Sequence, residues 1–378
     1  MLLTQDQEMI RDAVRDFAQT ELWPHAARWD KEHHFPKEAH QGLAALGAYG
    51  ICVPEEFGGA NLDYVTLALV LEEIAAGDGG TSTAISVTNC PVNAILLRYG
   101  NAQQKRDWLT PLARGEMLGA FCLTEPHVGS DASALRTTAV KQGDEYVING
   151  VKQFITSGKN GHVAIVIAVT DKGAGKKGMS AFLVPTSNPG YVVARLEDKL
   201  GQHSSDTAQI NLENCRVPAE NLLGGPAMEN RGFICLMEQL PWERLQIAIT
   251  AVAAAQAAID WTLDYVKQRK VFGQSVASFQ NTRHTLAELQ TQVQVARVFV
   301  DKCCELIVRD QLDTETASMA KYWTTDLQCK VMDECVQLHG GYGYMWEYPI
   351  TRAYADARVQ RIYGGTNEIM KELASRFL

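Results

Sequence analysis

The feature that most constrains the fold is the spacing of apolar residues, which changes twice along the chain. Up to about residue 116, and again after Gly224-Gly225, apolar residues recur every three or four positions. Between about 118 and 223 they fall instead into short runs separated by turn residues. The first spacing is typical of amphipathic helices and the second of strands. The sequence therefore predicts an α+β multidomain protein with helical residues 1–117, a β domain at 118–225 and helical residues 226–378.

The region after residue 226 contains three long apolar stripes with helical spacing. One stripe is Leu245, Ile249, Val252, Ala255, Ile259 and Leu263; the second is Leu286, Leu289, Val293, Ala296 and Val300; the third is Ala320, Trp323, Leu327, Val331, Cys335 and Leu338. Long helices with one apolar face and short connections bury those faces against each other. The stripes predict a helical bundle.

The middle region carries the signals of an antiparallel sheet. Tyr146–Ile148 and Val151–Ile155 flank Asn149-Gly150, a dipeptide typical of a tight primed turn, so we expect a hairpin there. Further short strands are expected at 163–169, 181–184, 191–196 and 207–212.

Composition excludes several classes of protein. A net charge of −9 argues against a nucleic-acid binder, which normally presents a basic face. The nine cysteines are scattered and lack a Cys-x-x-Cys pair, which favours a reducing cytoplasm and suggests neither disulfides nor a metal site.

The most apolar helical run, from Ile247 to Ala255, is far shorter than the roughly 20 residues of a membrane span. Thr4-Gln-Asp-Gln7 predicts a capping box rather than a signal peptide, so we expect a soluble cytoplasmic protein.

The last forty residues contain the densest set of candidate binding residues. Gln337-Leu-His-Gly-Gly-Tyr-Gly-Tyr344 continues through Glu347, Arg352 and Asp356 to Tyr363-Gly-Gly-Thr366. Paired glycines allow a backbone to approach a flat or phosphorylated ligand closely. A lone Gly-Gly between helices is more often a simple turn, so the signal depends on other segments that fit the same ligand.

Three such segments are present. They are Cys122-Leu-Thr-Glu-Pro-His-Val-Gly-Ser-Asp131, Phe154-Ile-Thr-Ser-Gly158 and Tyr265-Val-Lys-Gln-Arg-Lys-Val-Phe-Gly273. Each has an ordinary structural interpretation alone: a turn, a strand and a helix end. Together with the C-terminal signature, they resemble the acyl-CoA dehydrogenase family over nearly the whole chain. The resemblance implies a C-terminal four-helix bundle, bound FAD, an acyl-CoA substrate, electron-transfer flavoprotein as electron acceptor, and a homotetramer built as a dimer of dimers.

The resemblance also implies roles for individual residues. The implied FAD-binding residues are Phe121, Cys122, Leu123, Thr124, Gly129, Ser130, Phe154, Ile155, Thr156, Arg269, Phe272, Gln280, Gln337, Leu338, His339, Gly340, Gly341, Thr366, Asn367 and Glu368. Of these, Arg269, Phe272, Gln280 and residues 337–341 are expected to reach the cofactor of a neighbouring subunit. The implied substrate-binding residues are Ser130, Arg244, Gly364 and Gly365. His127 and Val128 depart from the family pattern, which has small residues at both positions.

The catalytic base is absent from its usual family position. Many members carry a glutamate in a Tyr-Glu-Gly-Thr loop, whereas this chain has Tyr363-Gly364-Gly365-Thr366. A subset, including the long-chain and isovaleryl-CoA types, places the glutamate before an arginine on a bundle helix, and Leu240-Pro-Trp-Glu-Arg-Leu245 matches that arrangement. The resemblance therefore implies that Glu243 is the base. A plainer interpretation is a helix that starts near Pro241, with Glu243 complementing its dipole.

Three classes of function remain open at this point. The leading one is the acyl-CoA dehydrogenase, with closest resemblance to the long-chain type. The others are an oxygen-reactive flavin oxidase or monooxygenase of the same fold, and a scaffold protein that retains FAD without turnover. Reoxidation of reduced flavin by oxygen separates the first two, and flavin bleaching by acyl-CoA separates both from the third.

Overall fold

In a computed structural model, which describes residues 3–378, a sheet lies between two helical regions, as predicted. The N-terminal helices are α1 (Gln5–Phe17), α2 (Trp23–Glu32), α3 (Lys37–Ala45), α4 (Tyr64–Gly77), α5 (Gly79–Val87), α6 (Ala94–Tyr99), α7 (Ala102–Gln104) and α8 (Thr110–Ala113). Thr4 begins α1 with the expected capping box, in which its hydroxyl accepts from the Gln7 amide at 3.2 Å and Gln7 Oε1 accepts from the Thr4 amide at 3.1 Å. Residues 1 and 2, which the sequence assigns to the first domain, lie outside the described residues.

The middle region forms a seven-stranded sheet. Its strands are β1 (Gly119–Cys122), β2 (Thr138–Gln142), β3 (Glu145–Thr156), β4 (Val163–Val169), β5 (Met179–Pro185), β6 (Tyr191–Leu196) and β7 (Thr207–Pro218). Their order is β1-β4-β2-β3-β7-β6, with β5 paired to β4. Most pairings are antiparallel, while β4 runs parallel to β1 and β2.

The predicted hairpin at Asn149-Gly150 is wrong. These residues lie inside the continuous strand β3, at a shift of its register with β7. Gly150 has a φ of 158°, which is extended, and the side chain of Asn149 accepts from the Asn214 amide at 2.8 Å. The actual turn is two residues long and joins β2 to β3 through Gly143, whose φ of 66° suits a primed turn. A glycine can thus indicate either irregularity: Gly150 lies at a bulge within β3, and Gly143 lies in the turn.

The C-terminal region is a bundle of three long helices with two short ones. These are α9 (Gly232–Gln268), α10 (Gln280–Val308), α11 (Thr314–His339), α12 (Pro349–Ala357) and α13 (Asn367–Ser375), with a small hairpin of β8 (Lys270–Val271) and β9 (Gln274–Ser275) after α9. The expected α+β architecture is thereby confirmed. Among the described helices, none is long and apolar enough to cross a membrane.

Two of the apolar cores join domains. One combines α4 with the bundle, and it includes Leu71, Ile74, Ile249 and Val252. Another lies on one face of the sheet, where Ile95 and Leu96 from the N-terminal helices meet Ile165 and Cys235. Because the apolar surface of each region is buried against its neighbours, α9 is held between the N-terminal helices and the sheet. This position brings residues near 243 into the interior.

Candidate active site

Glu243 lies inside α9, well beyond the first turn of that helix. The helix begins at Gly232, so the interpretation of Pro241 as a helix start is wrong. Glu243 is partly exposed, and burial raises the pKa of its carboxyl group, while the positive charges of Arg244 and Lys321 act in the opposite direction. A carboxylate in this setting is a stronger base than one in water.

The glycine that replaces the loop glutamate lies beside Glu243. A Cβ built on Gly364 would lie 3.9 Å from Glu243 Oε1 and 2.4 Å from Ile247 Cδ1. The φ of Gly364 is 63°, in the left-handed region that favours glycine. A carboxylate carried by position 243 and one carried by position 364 would therefore enter the same space.

Two buried cations bind the carbonyl groups of this loop. Arg244 Nε donates to the Gly364 carbonyl in a long contact of 3.5 Å, and Lys321 Nζ donates to the Gly365 carbonyl at 2.7 Å. Burial lowers the pKa of Arg244 and also lowers that of Lys321 to about 7, with a further contribution from Arg244. Among residues 3–378, no acceptor takes the Gly364 N–H, so this donor remains available to a ligand.

The other loop residues singled out by sequence have different surroundings. Thr366 caps α13 by accepting from the Ile369 amide at 3.3 Å, and Glu368 is exposed in the first turn of that helix. Asn367 is buried, and its side chain bonds Lys321 Nζ at 3.0 Å and Thr325 Oγ1 at 2.9 Å. The side chain of Asn367 thus secures the loop rather than facing an open site.

Sequence reasoning assigned no role to Lys321. The position of Lys321 in the sequence could have indicated a role. It follows Ala320 within the apolar stripe of α11, where a charged residue is rarely buried without a partner. The loop carbonyls supply those partners, and they lie more than forty positions further along the chain.

The two segments expected beside the flavin ring come together at the ends of β1 and β3. The Gln153 amide donates to the Thr124 carbonyl at 2.8 Å, and Lys152 Nζ donates to the Leu123 carbonyl at 2.9 Å. Lys152 also forms a fully buried ion pair with Glu125 at 3.1 Å. Phe121, Leu123 and Thr124 are partly exposed while Cys122 is buried, so residues 121–124 present one edge to an exterior ligand.

The structure accommodates the two unusual residues of this segment. Glu125 and Val128 exchange backbone hydrogen bonds of 3.0 Å, which closes a tight turn. Val128 is buried in the apolar core, where it packs near Leu135, and His127 is exposed. Gly129 and Ser130 follow, both exposed, so Val128 does not obstruct the outer face of the turn.

The end of β3 offers an exposed aromatic side chain and an unpartnered hydroxyl. Phe154 is 63% exposed with a φ of 59°, whereas Ile155 is buried and Thr156 is partly exposed. The hydroxyl of Ser157 is buried without a hydrogen-bond partner. A buried polar atom without a partner costs stability unless a ligand completes it. This edge therefore fits a flat, polar cofactor.

Several of the remaining predicted residues line a cleft on the surface. A cleft of about 510 Å³ is lined by Tyr265, Arg269, Val271, Val276, residues 337–341, Tyr342 and Met345. The Arg269 guanidinium lies 5.6 Å from the centre of the Tyr342 ring. Phe272 is 94% exposed and Gln280 is also exposed. Arg269 and residues 337–341, which are far apart in sequence, thus belong to one cleft.

One group of side chains has the spacing of a metal site. The ligand atoms of His33, Asp198 and His203 lie within 4.8 Å of one another. Both ring nitrogens of His203 are already engaged, Nδ1 with Asp30 Oδ1 at 2.8 Å and Nε2 with the Lys199 carbonyl at 2.7 Å. The ring of His203 therefore offers no lone pair to a metal ion.

Comparisons with known proteins agree with the sequence resemblance. Family models match the N-terminal, middle and C-terminal domains of acyl-CoA dehydrogenase at residues 4–116, 120–215 and 230–378. The mitochondrial long-chain specific acyl-CoA dehydrogenase of Sus scrofa is 44% identical over 99% of this chain and 87% of its own length.

Solved structures show the same similarity. The butyryl-CoA dehydrogenase of Megasphaera elsdenii superimposes with a TM-score of 0.96 at 35% identity, over 100% of this chain and 99% of that one. A glutaryl-CoA dehydrogenase from Mycobacterium smegmatis in complex with FADH2 gives 0.93 at 30% identity, over 99% and 95% of the two chains.

Proposed function

The chain belongs to the acyl-CoA dehydrogenase family of FAD-dependent oxidoreductases, and we propose that Glu243 is the base that removes the α-proton of its acyl-CoA substrate. One observation carries the proposal. The carboxylate of Glu243 lies 3.9 Å from the point at which a side chain would leave Gly364. A base carried by α9 can therefore serve the same reacting carbon as a base carried by the loop.

The electrostatics of the site suit proton abstraction. The α-proton of a thioester is weakly acidic, and a base is most effective when its pKa approaches the working pH. Burial raises the pKa of Glu243, and the neighbouring cations Arg244 and Lys321 act in the opposite direction. The pKa of this carboxyl group therefore lies above that of a carboxyl group in water, in the direction that favours its action as a base.

The loop supplies the second requirement of the reaction, stabilisation of negative charge on the thioester oxygen. The backbone N–H of Gly364 is available, and Arg244 and Lys321 fix the orientation of the two peptide groups that follow it. A fixed donor aimed at a developing oxyanion lowers the barrier more than a mobile one. We assign Gly364 to the thioester carbonyl and Arg244, with Gly365 and Ser130, to substrate binding.

The cofactor site extends over two regions of the chain. When bound, FAD supplies the acceptor for the hydride that leaves Cβ. Residues 121–124, 129–130 and 154–156 provide an edge and an aromatic wall for the ring. The surface cleft with Arg269 and residues 337–341, the exposed Phe272 and Gln280, and the backbone of residues 366–368 complete the set that we assign to FAD binding.

Two further assignments belong to the same proposal. The assembly is a homotetramer in which one subunit completes the FAD site of another, and electron-transfer flavoprotein takes the electrons. The exposed Phe272 beside the surface cleft supports a subunit interface at this place. We place the domains at residues 1–117, 118–225 and 226–378, with one boundary between α8 and β1 and the other between β7 and α9.

Anaerobic titration of the FAD-loaded protein with a panel of acyl-CoA thioesters tests the proposal. We expect at least one thioester to bleach the flavin, and we expect Glu243→Gln to bind that thioester without bleaching. Slow reoxidation in air, with fast reoxidation by electron-transfer flavoprotein, would separate a dehydrogenase from an oxidase. If no thioester from short branched to long straight bleached the flavin, the proposed activity would be wrong.

A further inference from the structure

A buried ion pair contacts the segment that we assign to the flavin ring. Lys152 Nζ and Glu125 Oε1 are 3.1 Å apart, and both side chains are almost fully buried. The same ammonium donates to the Leu123 carbonyl at 2.9 Å. A buried ion pair usually adds little stability over apolar side chains of the same size, so this pair needs another explanation. Its contacts indicate that it orients the backbone of residues 121–124.

An irregularity in β3 brings Lys152 and Gln153 to this segment. The pairing of β3 with β7 shifts its register between Lys152 and Ile155. Such a bulge releases part of a strand from regular pairing and redirects its groups. The amide of Gln153 is thereby free to donate to the Thr124 carbonyl, at 2.8 Å. Two successive carbonyls, those of Leu123 and Thr124, are thus held by neighbouring residues of β3.

These contacts leave one backbone donor of the segment available. In a planar trans peptide the C=O and N–H bonds point in opposite directions, and the peptide bond that joins Leu123 to Thr124 is trans. Because the carbonyl of this peptide faces Lys152, its N–H, which belongs to the partly exposed Thr124, points away from that buried ammonium. Among residues 3–378, no acceptor takes this N–H. The Thr124 N–H can therefore donate to a ligand at this edge.

Glu125 fixes the position of the ammonium. Its Oε2 accepts from the Arg136 amide at 2.8 Å, and its Oε1 accepts from the Thr137 amide at 2.9 Å. Hydrogen bonds from backbone amides and from an ammonium favour the ionised form of a carboxyl group. Burial lowers the pKa of Lys152, while the charge of Glu125 acts in the opposite direction. The carboxylate thus anchors Lys152 to the chain beyond the turn at residues 125–128.

We propose that Lys152 is a positioning residue for the flavin: through the Leu123 carbonyl it holds the Thr124 N–H towards the ring, and so stabilises reduced FAD more than oxidised FAD. The inference rests on the proposed placement of the ring beside residues 121–124 and 154–156. Reduction adds electron density to the ring, and hydrogen bonds to ring atoms tune its electronics. A hydrogen bond to a charged acceptor is roughly twice as strong as one to a neutral acceptor. A donor held in place therefore favours the reduced ring.

The test is the midpoint potential of the bound flavin, which is measured without acyl-CoA and so does not depend on Glu243. Lys152→Met alone leaves Glu125 buried and unpaired, which destabilises the fold. In Lys152→Met/Glu125→Gln both charges are absent, so a change that remains reflects orientation rather than net charge. For this double variant we expect the preference for reduced over oxidised FAD to fall about tenfold, which lowers the midpoint potential by about 30 mV.

Arg297→Met is the control for loss of an ion pair elsewhere. Arg297 pairs with Glu72 and joins α10 to α4 among the helices. We expect this variant to unfold at lower denaturant concentration and to keep the wild-type midpoint potential. An unchanged potential in the folded, FAD-loaded double variant, or an equal fall in Arg297→Met, would overturn the inference.

Phe154→Leu separates this inference from the placement on which it rests. Phe154 is exposed near the end of β3, so its replacement should alter the absorption spectrum of a flavin ring bound there. An unaltered spectrum in Phe154→Leu would refute the placement itself. An altered spectrum, together with an unchanged potential in the double variant, would keep the placement and refute the role of Lys152.

Discussion

Lys321 Nζ and the carbonyl oxygen of Gly365 lie 2.7 Å apart, in a hydrogen bond that joins the interior of α11 to the active-site loop. The same ammonium reaches Asn367 Oδ1 at 3.0 Å, and the lysine side chain is fully buried. The cation therefore has two functions in the proposed mechanism. It orients the peptide groups that follow Gly364, and its charge counteracts the rise in the pKa of Glu243.

Replacing Lys321 by methionine should change the pH dependence of flavin reduction. Removal of the positive charge raises the pKa of Glu243 further, and the base must be deprotonated to act, so the rising limb of the rate profile should move to higher pH. The measurement is anaerobic stopped-flow reduction by a saturating thioester across pH. Lys330→Met on the exposed face of α11 is the control, since Lys330 pairs with Glu288 and Gln292 at the surface. An unshifted profile in Lys321→Met would mean that the lysine acts only as a structural tie.

Lys321 should also make stability depend on pH. Burial lowers its folded-state pKa to about 7 from an unfolded value of about 10.5, so the unfolded chain binds more protons between these values. Below about pH 7, burial of the charged lysine lowers the free energy of unfolding by its full amount. This loss of stability disappears as the pH rises towards about 10. Denaturant midpoints of the wild type should therefore rise over this window relative to those of Lys321→Met. Parallel curves for the two proteins would contradict a strongly perturbed lysine.

Glu243→Gln should retain FAD and lose most of its flavin reduction. The amide keeps the size of the side chain but cannot take a proton, and loss of a positioned base typically costs about 10²–10⁴ in rate. Glu238→Gln, on the same helix and paired with Arg98 at the surface, is a control that should reduce normally. Reduction of Glu243→Gln at the wild-type rate, with cofactor content unchanged, would show that the base lies elsewhere.

The proposed base, Glu243, is easier to predict from the sequence than its surroundings are. Pro241-Trp-Glu-Arg244 and the glycine at 364 suggest a relocated carboxylate from motif comparison alone. The distance between positions 243 and 364, and the role of Lys321, depend on how α9, α11 and the loop pack together. The local spacing of residues in the sequence does not encode that packing. The Asn149-Gly150 error has the same origin: the dipeptide suits both a turn and a bulge, and the long-range pairing of β3 with β7 decides between them.

Returning a carboxylate to the loop should partly rescue Glu243→Gln. In Glu243→Gln/Gly364→Glu, the new side chain starts beside the lost base, but it meets Ile247 Cδ1 at 2.4 Å and must adopt a φ of 63°. That backbone conformation costs a non-glycine residue about 1–2 kcal/mol. We therefore expect weak rescue, and stronger rescue once Ile247→Ala provides space. If the triple variant binds FAD and thioester yet its flavin is reduced no faster than that of Glu243→Gln, a carboxylate at position 364 does not act on the same carbon as one at position 243.

Phe272→Asp should weaken subunit assembly and FAD retention together. Phe272 is 94% exposed in one chain and has a φ of 50°, beside the surface cleft that contains Arg269 and residues 337–341. An exposed aromatic of this kind is expected to be buried in a protein interface, where a carboxylate would lose its hydration. The measurements are molar mass by sedimentation and the ratio of flavin to protein absorbance, with Met9→Asp, a 58% exposed position on α1, as the control. A Phe272→Asp protein that kept both its assembly and its full complement of flavin would place the interface elsewhere.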